Sequence, residues 1–151
     1  MAQAITAYLH YLSIFVLFAL LSIEHLQFKL PLDLTRARQL IVVDMAYGLT
    51  AGVVLATGLA RVIWFGKGSA YYLGNSLFHA KVGLFVLVAL LSILPTFVFL
   101  NWRNQLKAGQ VPSVSPRQAK LVIMTIRLEL LLLLIIPLLA VLMARGYGVI
   151  A

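Results

Sequence analysis

The run S-L-F-H-A-K-V-G-L-F-V-L-V-A-L-L-S-I-L-P-T-F-V-F-L, from Ser76 to Leu100, sets the terms for the whole chain. A helix rises about 1.5 Å per residue, so it crosses the roughly 30 Å hydrocarbon core of a bilayer in about 20 residues. This run is long enough to span. Yet His79 and Lys81 stand in its first turns, where an ionisable group costs roughly 2.5–3.5 kcal/mol on insertion scales unless it is paired, snorkelled or functional.

Three further apolar runs accompany it, giving spans at about 4–23, 39–64, 76–100 and 121–144. With 63% hydrophobic and only 11% charged residues, the composition is that of an integral membrane protein rather than a soluble domain. The net charge of +8 would suggest nucleic acid in a soluble chain. Here the basic residues lie mostly in the gaps between apolar runs, where membrane topology places them, and no nucleic-acid partner is expected. Cysteine is absent, which removes disulfides, thiolate metal sites and thiol redox chemistry. The first run starts almost at Met1 without a basic leader or a clear small-x-small cleavage site, so a retained span is expected. No P-loop, G-x-G-x-x-G, G-x-S-x-G or H-E-x-x-H pattern is present, so nucleotide binding and hydrolase chemistry have no support.

Short connections leave four spans little choice of neighbour, so the fold expected is all-α, an integral membrane four-helix bundle running up-down-up-down as one domain. The connections after spans one and three hold Lys29, Arg36, Arg38, Arg103, Lys107, Arg117 and Lys120, against Arg61, Lys67 and Arg145 on the other side. The positive-inside rule then puts both termini on the periplasmic side of a bacterial inner membrane.

In that topology His10 and His79 lie at matched depth near the outer face on two parallel helices. That is the arrangement a b-type haem needs, one imidazole on each side of the ring plane, and Arg61 and Arg145 end the other two helices at the same side, where they could meet the propionates. Lys81 lies roughly 200° around the helix from His79, so only one of them faces the bundle, and the sequence leaves open which. Near the inner face collect Glu24, His25, Asp44, Arg127 and Glu129. They read either as register-fixing ion pairs or as a proton pathway, with a carboxylate-and-histidine metal site using His25 only weakly supported. Gly48-x-x-x-Gly52, with Gly58 beyond, suggests a close helix contact inside the bundle or a homodimer face.

These features together resemble the HemJ-type protoporphyrinogen oxidases and their small four-span bacterial relatives. A-Y-L-H at Ala7–His10 resembles the family's L-H element in span one. L-F-H-A-K-V at Leu77–Val82 resembles W-L-H-A-K-L in span three, and R-L-E-L at Arg127–Leu130 resembles the N-E-x-P-type element opening span four. The asparagine of that element is Leu128 here and its proline is missing, while D-M-A-Y-G-L-T in span two looks closer to an uncharacterised sister group. The resemblance implies a shared bundle, haem b held through His10 and His79, and electron transfer or porphyrin oxidation with a quinone or other carrier. Lys81 and Glu129 would then handle protons. The rival is a non-redox membrane protein, a small transporter or assembly factor, whose intramembrane charges are structural or proton-coupled.

Overall fold

A computed structural model describes residues 1–150, and four long helices account for the four apolar runs. Helix α1 covers Ala2–Gln27, and α2 covers Leu34–Ala60 and runs on through a π-helical turn, Arg61–Phe65. A short α3, Ser69–Leu73, lies in the glycine-rich connection. Helix α4 covers Ser76–Asn101 and continues past Trp102 into the short α5, Arg103–Lys107, before α6, Pro116–Ala144.

Side-chain caps start three of these helices. The Asp33 carboxylate accepts from Arg36 N–H (2.7 Å), Asn75 Oδ1 from Leu77 N–H (3.0 Å) and Ser115 Oγ from Gln118 N–H (3.2 Å), with Pro116 in the first turn of α6. Because the caps at Asp33 and Ser115 lie in polar sequence, α2 and α6 begin about five residues before the apolar runs that hydropathy detects.

Helix α1 packs along α2 and α4 along α6, and contacts of α2 with α4 and of α1 with α6 close the square. That leaves α1 and α4 on one diagonal. The best-packed part of the core lies toward the α1–α2 and α4–α6 connections, here called the basic end. Phe28, Phe99 and Trp102 are buried there, with ring centroids 5.0 Å apart for Phe99–Trp102 and a nearly parallel Phe28–Trp102 pair at 6.2 Å. The opposite, terminal end is held by a clasp. Ser76 N–H donates to Gly148 O (2.8 Å), Ile150 N–H to Gly74 O (3.0 Å) and Asn75 Nδ2 to Tyr147 O (2.9 Å), while Tyr71 O–H donates to Met143 O (3.0 Å). Gly148 permits this at φ +81°, and a Cβ there would stand 2.6 Å from Leu77 Cγ.

The outer faces carry exposed Phe15, Leu49, Phe97 and Leu134, as lipid-facing helices should, and the chain is a multi-pass membrane protein. Gly48 and Gly52 are on such a face. A Cβ at either would meet nothing within 4 Å, so the close contact expected inside the bundle is not made there.

Candidate functional site

Each long helix turns one stripe of residues inward at alternating three- and four-residue spacing. On α1 the stripe is His10, Ser13, Leu17, Leu21 and Glu24, continued by Phe28 just past the helix end. On α2 it is Asp44, Tyr47, Ala51, Val54, Gly58 and Arg61, and on α4 it runs Lys81, Phe85, Val88, Ser92, Pro95, Phe99; all are buried or half-buried. The polar members of these stripes fall into two layers.

The first layer lies toward the basic end. Glu24, Asp44 and Glu129 are 1%, 5% and 0% exposed, and the three carboxyls act electrostatically on one another. Thr96 Oγ1 donates to Asp44 Oδ1 (2.8 Å), and the buried Tyr47 hydroxyl lies beside Glu129. Both oxygens of Glu129, Oε2 of Glu24 and Oε1 of Gln27 have no hydrogen-bond partner. Glu129 is the fourteenth of the 29 residues of α6, about 20 Å along the axis from its start, so this layer is deep in the helix rather than at its mouth.

No cation joins them. Among the described residues the only ion pair is Arg36–Asp33 at the surface (3.9 Å), and Arg38 instead reaches Leu106 O (3.4 Å). Arg127 stands on the exposed side of α6, two residues from Glu129 and thus on another face, and its Nε–H donates to His25 Nε2 (3.2 Å). The register-fixing ion pairs expected within this inner-face group are therefore not formed, since neither Arg127 nor the nearby Arg36 and Arg38 pairs with Glu24, Asp44 or Glu129. The metal site through His25 fares no better, since its ring is turned to Arg127 and no three His, Asp or Glu side chains among the described residues converge enough to hold a metal.

The second layer lies toward the terminal end. Thr57 gives its one hydroxyl hydrogen to Val53 O (2.7 Å), so its contact with His10 Nδ1 (2.9 Å) has the histidine as donor. That fixes the neutral ring as the Nδ1–H tautomer and leaves Nε2 with a bare lone pair. Gly58 makes room for the ring, for a Cβ there would sit 3.1 Å from His10 Cε1. Arg61 and Lys81, both half-buried, act electrostatically on His10, and Arg61 also lies over the Tyr11 ring at 5.0 Å. Arg61 opens the π turn, a widening of the helix common at functional sites.

His79 does not join this layer. It lies off the inward stripe, is exposed, and its Nε2–H donates to Leu73 O (2.9 Å) at the end of α3. Lys81 is the residue of the pair that faces the bundle. A haem held between His10 and His79 does not fit this arrangement, because one imidazole is engaged within the bundle and the other is turned out of it with its ligating nitrogen occupied. Arg145 likewise is exposed rather than directed at the layer.

Sequence reasoning missed Thr57, Tyr47, Thr96 and Gln27, and it singled out Gly58 only as one of a series of small residues, not as the seat of the His10 ring. The stripe on α2 could have found Tyr47 and the seating role of Gly58, since both share it with Asp44 and Arg61.

No curated protein and no solved structure matches the chain. The profile of the family described as "Predicted membrane protein (DUF2214)" matches residues 2–148, and the chain belongs to that family.

Proposed function

We propose that this protein handles protons in a bacterial inner membrane, with its basic end in the cytoplasm, as a small proton-coupled carrier or as the proton-carrying half of a membrane reaction. What supports this is the burial of Glu24, Asp44 and Glu129 without a cation, with Glu129 unpaired at both oxygens. A carboxyl that keeps its proton is far cheaper to bury than a carboxylate, so such a group works as a proton store that empties only when the helices admit water or a cation. Tyr47 and Thr96, each beside one of the acids, are hydroxyls able to pass a proton within the layer. A homodimer through the open Gly48–Gly52 face belongs to the same proposal.

The test is infrared difference spectroscopy of the purified protein in lipid. A protonated-carboxyl C=O stretch is expected at neutral pH, reduced in Glu129→Gln and again in Glu24→Gln. Spectra in which neither substitution removes such a band mean that the acids are ionised and overturn the reading.

Haem-linked electron transfer or porphyrin oxidation is the second reading. The bare Nε2 of His10, oriented by Thr57, favours it, and the outward His79 weighs against it. A purified preparation that is red, with a Soret band that His10→Ala removes and His79→Ala leaves, would assign this role to His10 alone.

A further inference from the structure

All four acidic residues, Glu24, Asp33, Asp44 and Glu129, lie in the layer toward the basic end or beyond it. The terminal half holds Arg61, Lys67, Lys81 and Arg145 and no Asp or Glu side chain. Lys67 is exposed and satisfied over the Tyr71 ring at 4.7 Å, and Arg145 is exposed. Arg61 and Lys81 differ from these. They come from the α2 end and from α4, are half-buried, act electrostatically on one another and on His10, and lie over the rings of Tyr11 (5.0 Å) and Phe78 (5.4 Å) with no carboxylate paired to either among the described residues. Two like charges drawn into one half-buried place without a counter-ion is an arrangement a chain keeps for a ligand that supplies the missing negative charge.

We propose that Arg61, Lys81 and His10 form a binding site for the oxyanion of an amphipathic molecule, a phosphate or carboxylate head on an apolar tail. Arg61 and Lys81 provide the charge-assisted donors. His10, its Nδ1–H committed to Thr57, offers Nε2 as an acceptor for a hydroxyl or acid proton of the same head group. Exposed Tyr11, under Arg61, borders the site, and exposed Leu59 and Trp64 on the same helical stretch as Arg61 add apolar surface for the tail. The π turn at Arg61–Phe65 shifts Arg61 and its successors from their α-helical positions, and the turn closes at Gly66, where a Cβ would run into Arg61 O and Tyr72. The site stands on residues separate from the carboxyl layer and does not depend on the function proposed for it.

The head group could come from a membrane lipid or from a soluble anion, and binding to the full chain in neutral detergent separates them. Phosphatidylglycerol, phosphatidylcholine and free glycerol phosphate are titrated by native mass spectrometry against wild type, Arg61→Gln, Lys81→Met, Lys81→Arg and the controls Lys67→Gln and Arg145→Gln. Phosphatidylglycerol is expected to bind in preference to phosphatidylcholine. Its affinity falls about tenfold in Arg61→Gln and in Lys81→Met, falls less in the charge-preserving Lys81→Arg, and stays within about twofold in both controls. Glycerol phosphate binding that the same two substitutions abolish supports the site with a soluble anion as its ligand. Equal binding of both lipids, or equal losses in the Lys67 and Arg145 controls, overturns the proposal. So does unchanged affinity in Arg61→Gln, which also decides the matter should Lys81→Met fail to fold.

Discussion

Replacing Glu129 by methionine should make the protein more stable while abolishing the proton handling proposed above. The side chain is fully buried and neither oxygen makes a hydrogen bond of good geometry, the Tyr47 hydroxyl lying beside it only, so the native state carries most of the desolvation cost of the carboxyl, about 1–3 kcal/mol. Methionine keeps the unbranched shape, and a swap of similar volume costs less than about 1.5 kcal/mol. The reference state of a membrane helix also finds polar partners, which moves the net gain to the low end, about 1 kcal/mol. Thr96→Val provides the opposite case. It removes the 2.8 Å donor to Asp44 and leaves that buried oxygen orphaned, so stability should fall by about 1–3 kcal/mol although the volume is unchanged. Both are read from reversible unfolding in mixed detergent micelles followed by circular dichroism. A loss of more than about 1 kcal/mol in Glu129→Met would mean that the carboxyl has a partner in the folded protein, and the account of the layer as unpaired would be wrong.

Gly58→Val should push the His10 ring off Thr57 and cost about 1–3 kcal/mol by overpacking, and the nitrogen chemical shifts of His10 should lose the Nδ1–H signature, as they should in Thr57→Val without the steric cost. Phe99→Ala, in the aromatic cluster of the basic end, should cost about 3–5 kcal/mol in the same unfolding assay. Gly148→Ala places a side chain at positive φ against Leu77, at roughly 1–2 kcal/mol, and should speed hydrogen exchange at Ser76 and Ile150 while α1 and α2 are unaffected. Gly48→Leu with Gly52→Leu should leave unfolding within about 0.5 kcal/mol of wild type and convert the proposed dimer to monomer on size-exclusion chromatography with light scattering.

Hydropathy and loop length suffice to read four antiparallel spans, because lipid imposes continuous apolar runs and short connections dictate neighbours. They mark where lipid begins rather than where helical hydrogen bonding begins, and so start α2 and α6 late. The connections are harder. Trp102 and Ser69 sit in polar or glycine-rich sequence that looks like loop, yet α5 and α3 form beside them. Residue depth is legible, but facing is only partly so. The spacing of His79 and Lys81 shows that they point apart. The choice between them lies in the spacing from Lys81 to Val88, Pro95 and Phe99, a stripe that fully apolar sequence hides because lipid and core accept the same side chains. The pairing of charges cannot be read from proximity in depth at all. Arg127 and Glu129 are two residues apart and look on different surroundings, one toward His25 and the other into the bundle.

The clasp at Gly148 has a bearing on how the molecule is made. Its two strands of backbone are separated by more than seventy residues and meet only after the fourth helix has been threaded through the bilayer. The contact therefore acts as a late latch: Tyr147–Ile150 closes onto the Gly74–Ser76 connection and joins the later hairpin's two helices at their far ends. A reporter fused directly behind Ile150 would hold that latch ajar, whereas one placed ahead of Ala2 would leave it free to shut.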